Sequence, residues 1–507
     1  MGAILDASRA PVGDRTADFC VIGSGCAGAT TAWVLAAAGH EVVVLEEGGD
    51  RTGRALTQRD AAMYDALYMD RGGRSTDDLA ISILQGRTLG GGGVINAADV
   101  VPIPDGVLEH WARRFGLGEI TRALGPYRER ALADLSASRV EEAQLNRANL
   151  LLREGAAALG WRGEVMMHNR VGCAGMGTCL IGCPLDAKRG PRLVAVPAAL
   201  AAGADFVTRV RALHIEGATR ETKTVVCRTL DANGYHEQGE LRVRAKHVIV
   251  AASAVSSAQL LLRSAIGNAH AGKSLMLQPQ LPIVARFDQP VRAFRGIPQA
   301  FAITEHERED DPEHGLWGFR IEAIMGTPGI VASLLPYVGR DGPRTMAHYD
   351  RIAASLLLVP DAPSGQVSLH PSGRVKVDYT ARPDLGARLR AAARAAARVY
   401  LAAGAREVIV PVFPPISIRS EAELGRLDAM DLRPATAPLV SAHQQGTLRI
   451  AASPRDGALD LEGRVHGTRG VYVFDSSGFP SSASSHTMAP ILTVARYFAD
   501  RLAARGA

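Results

Sequence analysis

The stretch 17–49, "ADFCVIGSGCAGATTAWVLAAAGHEVVVLEEGG", decides the fold. Cys20–Ile22 is a short apolar run, Ala29–Ala38 an alanine-rich helical run that Gly39 stops, and "EVVVLE" a second apolar run. Strand, glycine turn, helix and strand therefore follow one another. Gly23, Gly25 and Gly28 form G-x-G-x-x-G, which gives a tight turn, close backbone approach to a pyrophosphate and close packing of helix on strand. The free N–H groups at the helix start face the phosphates. Glu46, ending the second strand, can accept hydrogen bonds from an adenosine ribose. Cys26, inside the turn, reads as a small backbone-contact residue rather than a redox thiol.

Beyond this unit no second strand–GxGxxG–helix pattern occurs, so a separate nicotinamide site is not expected. Glycines return at Gly90–Gly93 in "LQGRTLGGGGVINAADV" (84–100), where a run without Cβ atoms lets the chain lie against a ligand. With 507 residues the chain has room for two substantial domains. A hydrophobic share of 47% with 21% charged residues is that of a globular enzyme and excludes a disordered or fibrous chain. A formal charge of +5 over this length gives no case for a nucleic-acid partner, and Arg390, Arg394 and Arg398 read as one solvated helix face. No apolar run approaches the roughly 18 residues of a membrane span. The N-terminus carries no basic start followed by an apolar segment, so a cytoplasmic location is expected. There the six cysteines would be thiols or ligands rather than disulfides.

Taken in order, "VIGSGCAGAT…VLEEGG", "GRTLGGGGVINA", "HVIVAASAVSSAQLLLRSAIG", "AGKSLMLQPQ", "SAHQQGTLRIA" and "GVYVFDSSGFPSSASSHTMAPILTVARYFADRL" resemble the glucose-methanol-choline (GMC) family of FAD-dependent oxidoreductases. "MYDALYMDRGGRSTDDLAISILQGRTLGGGGVINAADVVPIPDGVLEHW" with "GCAGMGTCLIGCPLDAKRG" is similar to its long-chain alcohol oxidase and dehydrogenase subgroup. The resemblance implies an α/β fold: a Rossmann-like FAD domain of the glutathione-reductase type with a second, α+β substrate domain on an antiparallel sheet. The FAD domain would be discontinuous, 16–110, 190–275 and 440–507. Residues 111–189 would be helices and a cysteine loop near the flavin, and 276–439 the substrate domain. FAD contacts are implied at Gly23, Gly25, Cys26, Gly28, Glu46, Gly92, Asn96, Val210, Asp475, Ser476 and Met488. Position 95, a flavin-linking His in some relatives, is Ile here, so FAD is expected to be noncovalent. Gly92 and Gly93 stand where many members have Ser, and Ser253 replaces a usual Gly.

The resemblance further implies FAD-dependent oxidation of an alcohol, CH–OH to C=O, with hydride passing to flavin N5. Oxygen, a quinone or a redox protein would take the electrons. His443 would be the base, since an imidazole titrates near working pH, and His486 its partner. His486 precedes the last helix, whose partially positive amino end favours a neutral imidazole. His466 is assigned no chemistry. A lyase or photoenzyme of the same fold, or a non-catalytic FAD-binding protein, are the rival readings. Cys173, Cys179 and Cys183, spaced C-x5-C-x3-C, read as a metal-free loop over the flavin; an iron–sulfur cluster, or zinc with His168, are the alternatives. Strand-like "LPIVARFD" and the hairpin "GQVSLHPSGRVKVDY", turning at Pro371-Ser372-Gly373, would roof the isoalloxazine. Phe301, Trp317, Phe319 and Phe413 are the aromatic candidates for the pocket of a largely apolar alcohol.

Overall fold

A computed structural model describes residues 1–335 and 340–505. Its first sheet grows from the apolar runs of the opening stretch. Strand Arg15–Ile22 pairs in parallel with Val42–Glu46, which pairs with Asp205–Thr208, and that with Ile4–Asp6 at the edge. On its other side lies the long strand Glu237–Val250, also parallel. The first half of that strand continues into an antiparallel meander with Lys223–Leu230 and Val210–Glu216, and its last residues pair in parallel with Val471–Val473. Helix Cys26–Ala37 follows the glycine turn three residues earlier than its alanine run suggests, because the turn residues themselves take up helical geometry. The last helix, Met488–Ala503, packs against it. All parallel strands end at one edge, and loops after them converge there: Gly23–Gly25, Glu46, Ala251–Ser253 and Asp475. In open α/β sheets this is where ligands bind.

A second sheet runs Ile416–Ile418, Glu407–Val410, Gln280–Arg286, Ile352–Leu358, Arg320–Ile324, Phe301–Ile303 and Gly163–Val165, antiparallel throughout. Leu439–Ser441 pairs with Gln280, and Ile81–Ile83 joins Leu439–Ser441 in parallel. The period of two sorts its side chains. Pro282 stands opposite Leu356 and Val284 opposite Ala354, which also faces Ile324, so these share one face with Glu322. The other face packs under helix Pro383–Ala402, with Ser355 Oγ 2.6 Å from Tyr400 OH. Arg394 and Arg398 of that helix reach Asp428 and Glu421, so the arginine face meets the neighbouring 3-10 segment rather than solvent alone. The hairpin Gly365–Leu369 and Val375–Asp378 forms as its turn dictates; it pairs with Lys273–Leu275 in a separate three-stranded sheet, and its turn, Ser372 to Val375, lines the cavity between the two larger sheets.

Candidate functional site

Between the two sheets lies a cavity of about 1570 Å³. One end is made by two glycine turns that face each other. Gly23 has φ 99° and donates its N–H to Leu45 O at 2.8 Å; Gly91 has φ 55°, and a Cβ there would stand 2.8 Å from Gly25 Cα. Gly28 does not reach the cavity: a Cβ on it would lie 1.9 Å from Gly23 O, so its work is to let the helix close on the turn. Gly23, Gly25, Cys26, Glu46, Gly92, Asn96, Val210, Asp475, Ser476 and Met488 all line the cavity. Its length from Val210 and Glu46 to the histidines, and walls that a Cβ would fill, fit an extended dinucleotide such as FAD.

Polar groups in this wall are tied before any ligand arrives. Glu46 accepts from Ser24 Oγ (2.6 Å), Ser24 N (3.1 Å) and Gly48 N (2.8 Å); burial nonetheless raises its carboxyl above the usual range. Asp475 accepts from Ser257 Oγ (2.5 Å), Ser253 N (2.8 Å) and Ser477 N (2.9 Å), and burial raises it as well. Asn96 Nδ2 lies 3.3 Å from Met488 Sδ. Burial pushes the Cys26 thiol up to about 12, which keeps it protonated and poorly nucleophilic.

At the other end His443 and His486 meet, with ring centroids 5.0 Å apart and planes at 71°. Both side chains are buried. Gln445 ties their segments together: its Nε2 donates to His443 O at 3.2 Å, and its Oε1 accepts from Ala483 N at 2.9 Å. The His443 hydrogen-bond contacts both fall on Nδ1, 2.8 Å from Gln278 Oε1 and 3.0 Å from Gln280 Nε2. Nε2 is left to the cavity. Burial, reinforced by the neighbouring His486, lowers His443 to about 3, so its imidazole is neutral at working pH.

His486 is shifted in the opposite direction, against the expectation drawn from the helix end. Burial alone would lower it, but Glu322, with Oε2 at 2.9 Å and Oε1 at 3.0 Å from Nε2, more than offsets this and raises it. Glu322 is itself fully buried and held well below the usual carboxylate range despite the desolvation, by His486, Arg320 (Nε at 2.6 Å) and Gln299. Arg320 in turn meets Glu307 at 3.0 Å and Glu164 at 2.9 Å. A full charge at 2.9 Å outweighs the partial charge of a helix terminus whose first turn lies beyond Thr487. Asp99 adds a second carboxylate 4.0 Å from His486 Nδ1. Glu322, Arg320, Gln278 and Gln280 were not among the sequence candidates. A single glutamate inside the otherwise apolar run "IEAI" (321–324) was the available signal for Glu322.

None of the four aromatic candidates lines the cavity. Ala302 pairs with Glu322, which turns Phe301 to the opposite face of the sheet. Trp317 stacks on His314 and under Arg388, Phe319 packs against His306, and Phe413 is exposed. The wall beside the histidines is aliphatic instead: Pro282, Val284, Ile324, Ala354 and Leu356. Nor do the cysteines converge: among the described residues no three His, Cys, Asp or Glu side chains are placed to share a metal. Arg170 Nη1 lies 3.3 Å from Cys179 Sγ and 3.8 Å from Cys173 Sγ, while His168 turns to Asp99, 2.8 Å away but out of hydrogen-bond alignment. Lys188 pins this loop to the glycine turn, donating to Val94 O, Asn96 O and Cys179 O at 2.6, 2.7 and 2.8 Å.

Comparison with known proteins agrees with this architecture. The two GMC oxidoreductase family models match residues 64–280 and 361–495, and an NAD(P)-binding Rossmann-like domain model matches 21–78. An uncharacterised GMC-type oxidoreductase of Mycobacterium tuberculosis is 33% identical over 96% of this chain and 76% of its own length. A long-chain-alcohol oxidase of Arabidopsis thaliana is 27% identical over 99% of this chain and 69% of its own. Among solved structures, formate oxidase of Aspergillus oryzae shares the fold with a TM-score of 0.68 at 17% identity, covering 98% of this chain and 99% of that one. No described helix is long and apolar enough to cross a membrane. The chain belongs to the GMC oxidoreductases, a family of FAD flavoproteins with a Rossmann-like domain.

Proposed function

We propose that this protein oxidises a largely apolar alcohol to the carbonyl compound, with His443 as the base. FAD, held noncovalently beside Ile95, supplies the hydride acceptor. The observation that carries the reading is the meeting of a neutral His443, whose hydrogen bonds both fall on Nδ1, with His486 one ring away, itself held against the Glu322 carboxylate. His443 Nε2 receives the hydroxyl proton. His486, kept cationic by Glu322, faces the same space and stabilises negative charge growing on the substrate oxygen. The aliphatic strip from Pro282 to Leu356 excludes water and takes an apolar chain, in keeping with the long-chain-alcohol oxidases among the relatives.

The test is anaerobic flavin bleaching by a panel of aliphatic, aryl and sugar alcohols. An aliphatic alcohol should bleach the flavin bands. His443→Ala should keep FAD and lose the reduction rate by about 10²–10⁴. Bleaching by no alcohol, or an unimpaired His443→Ala, overturns the proposal.

A further inference from the structure

A neutral imidazole can act as base through Nε2 only when its proton sits on Nδ1. Two glutamines touch Nδ1, and as drawn they make opposite demands: Gln278 presents an oxygen, which needs a proton there, and Gln280 a nitrogen, which needs a lone pair. The rest of the network breaks the tie. Gln278 Nε2 lies 3.2 Å from Ser484 O, a carbonyl that can only accept, so the Gln278 amide cannot be turned over. Its Oε1 must therefore face Nδ1, and Nδ1 must donate. The Gln280 amide has His443 as its one partner among the described residues, so it can turn and offer its oxygen instead.

Gln278 is also fixed from behind. It is fully buried, and the buried Asp361 accepts from its backbone N–H at 2.8 Å, from Leu277 N at 2.9 Å and from Tyr379 OH at 2.6 Å. Leu277 O in turn accepts from Ser441 Oγ, two residues before His443. The clamp thus holds both ends of the Gln278–His443 contact.

We propose that Gln278, braced by Asp361, is the positioning residue that sets the His443 tautomer with its proton on Nδ1 and its lone pair on Nε2. The chemical consequence rests on the reading of His443 as base; the tautomer itself does not. One hydrogen bond of ordinary strength biases two near-equal tautomers by about tenfold. Gln280, which lines the cavity and has an adjustable amide, is then free to meet the substrate.

The experiment is ¹⁵N NMR of the FAD-loaded protein with ¹⁵N-labelled histidine, the His443 signals being assigned by their loss in His443→Asn. Wild type should show Nδ1 protonated and Nε2 bare. Gln278→Met should shift the signals toward the other tautomer or a mixture. A proton on Nε2 in wild type, or an unchanged tautomer in Gln278→Met, overturns the inference. With dodecan-1-ol as the probe, flavin reduction should fall about tenfold in Gln278→Met. If His443→Ala reduces its flavin normally while the tautomer follows Gln278, the base reading fails and the clamp stands.

Discussion

At Ser253 the chain adopts φ 75°, ψ 161°, backbone territory that is nearly the preserve of glycine, and the residue's Oγ is buried without a partner. The Ser253 N–H bond to Asp475 and the following helix hold it there. Strain of this kind costs on the order of 1–3 kcal/mol. Ser253→Gly should therefore raise stability by about 1 kcal/mol, read as a higher urea midpoint with FAD saturating; a lower midpoint would show that the hydroxyl has a use. Glu322 has the larger stake. Removing one partner of a buried ion pair costs roughly 3–5 kcal/mol, so Glu322→Gln should be strongly destabilised and its flavin reduced more slowly by alcohol. The pH dependence follows from the two directions. Glu322, lowered from 4.5, contributes stability that is lost as pH falls through its native value; His486, raised from 6.5, contributes stability lost as pH rises through its own. The melting-temperature gap between wild type and Glu322→Gln should be widest between pH 4.5 and 6.5 and narrow on both sides; a gap that keeps widening above that window would mean His486 is neutral.

Among the elements, the glycine turn and the cysteine loop are coupled through Lys188, whose ammonium is buried and lowered to about 8 by desolvation. Its three carbonyl partners include Val94 and Asn96, on the glycine stretch that walls the cavity. Lys188→Met leaves Val94 O and Asn96 O without a donor, each worth about 1–3 kcal/mol, while Cys179 O keeps its bond from Gly182 N. It should lower both the thermal midpoint and the FAD content of the purified protein, and normal FAD content would show the loop to be independent of the cofactor site. The first unit was legible because its physics is local: apolar runs, stop glycines and a helix start all act within a few residues. The hairpin at Pro371-Ser372-Gly373 was legible for the same reason, while its sheet was not, since its partner Lys273–Leu275 lies about ninety residues away and sheet edges accept any strand of suitable register. Phe301 failed on register too, where one residue decides between the cavity face and the far face.

In the whole molecule the two histidines meet beside the second sheet: His486 finds Glu322 on one of its strands, and His443 finds Gln278 just before another. Glu322 and Gln278 belong to the stretch 276–439, His443 and His486 to the final stretch. The aliphatic strip of the second sheet should set chain selectivity: Ala354→Trp, with a side chain entering the cavity beside Val284 and Ile324, should abolish flavin reduction by dodecan-1-ol and spare ethanol. Equal loss for both alcohols would place the chain elsewhere. The sequence by itself determined the dinucleotide turn, the order of the family segments and the two histidines, because motif spacing and short-range patterning survive without coordinates. Tertiary structure alone decided which histidine meets a carboxylate, which nitrogen of the other is hydrogen-bonded, and which side chains wall the cavity. Those properties depend on Coulomb and hydrogen-bond contacts of a few ångströms between residues more than 160 positions apart, and on burial that no local pattern encodes.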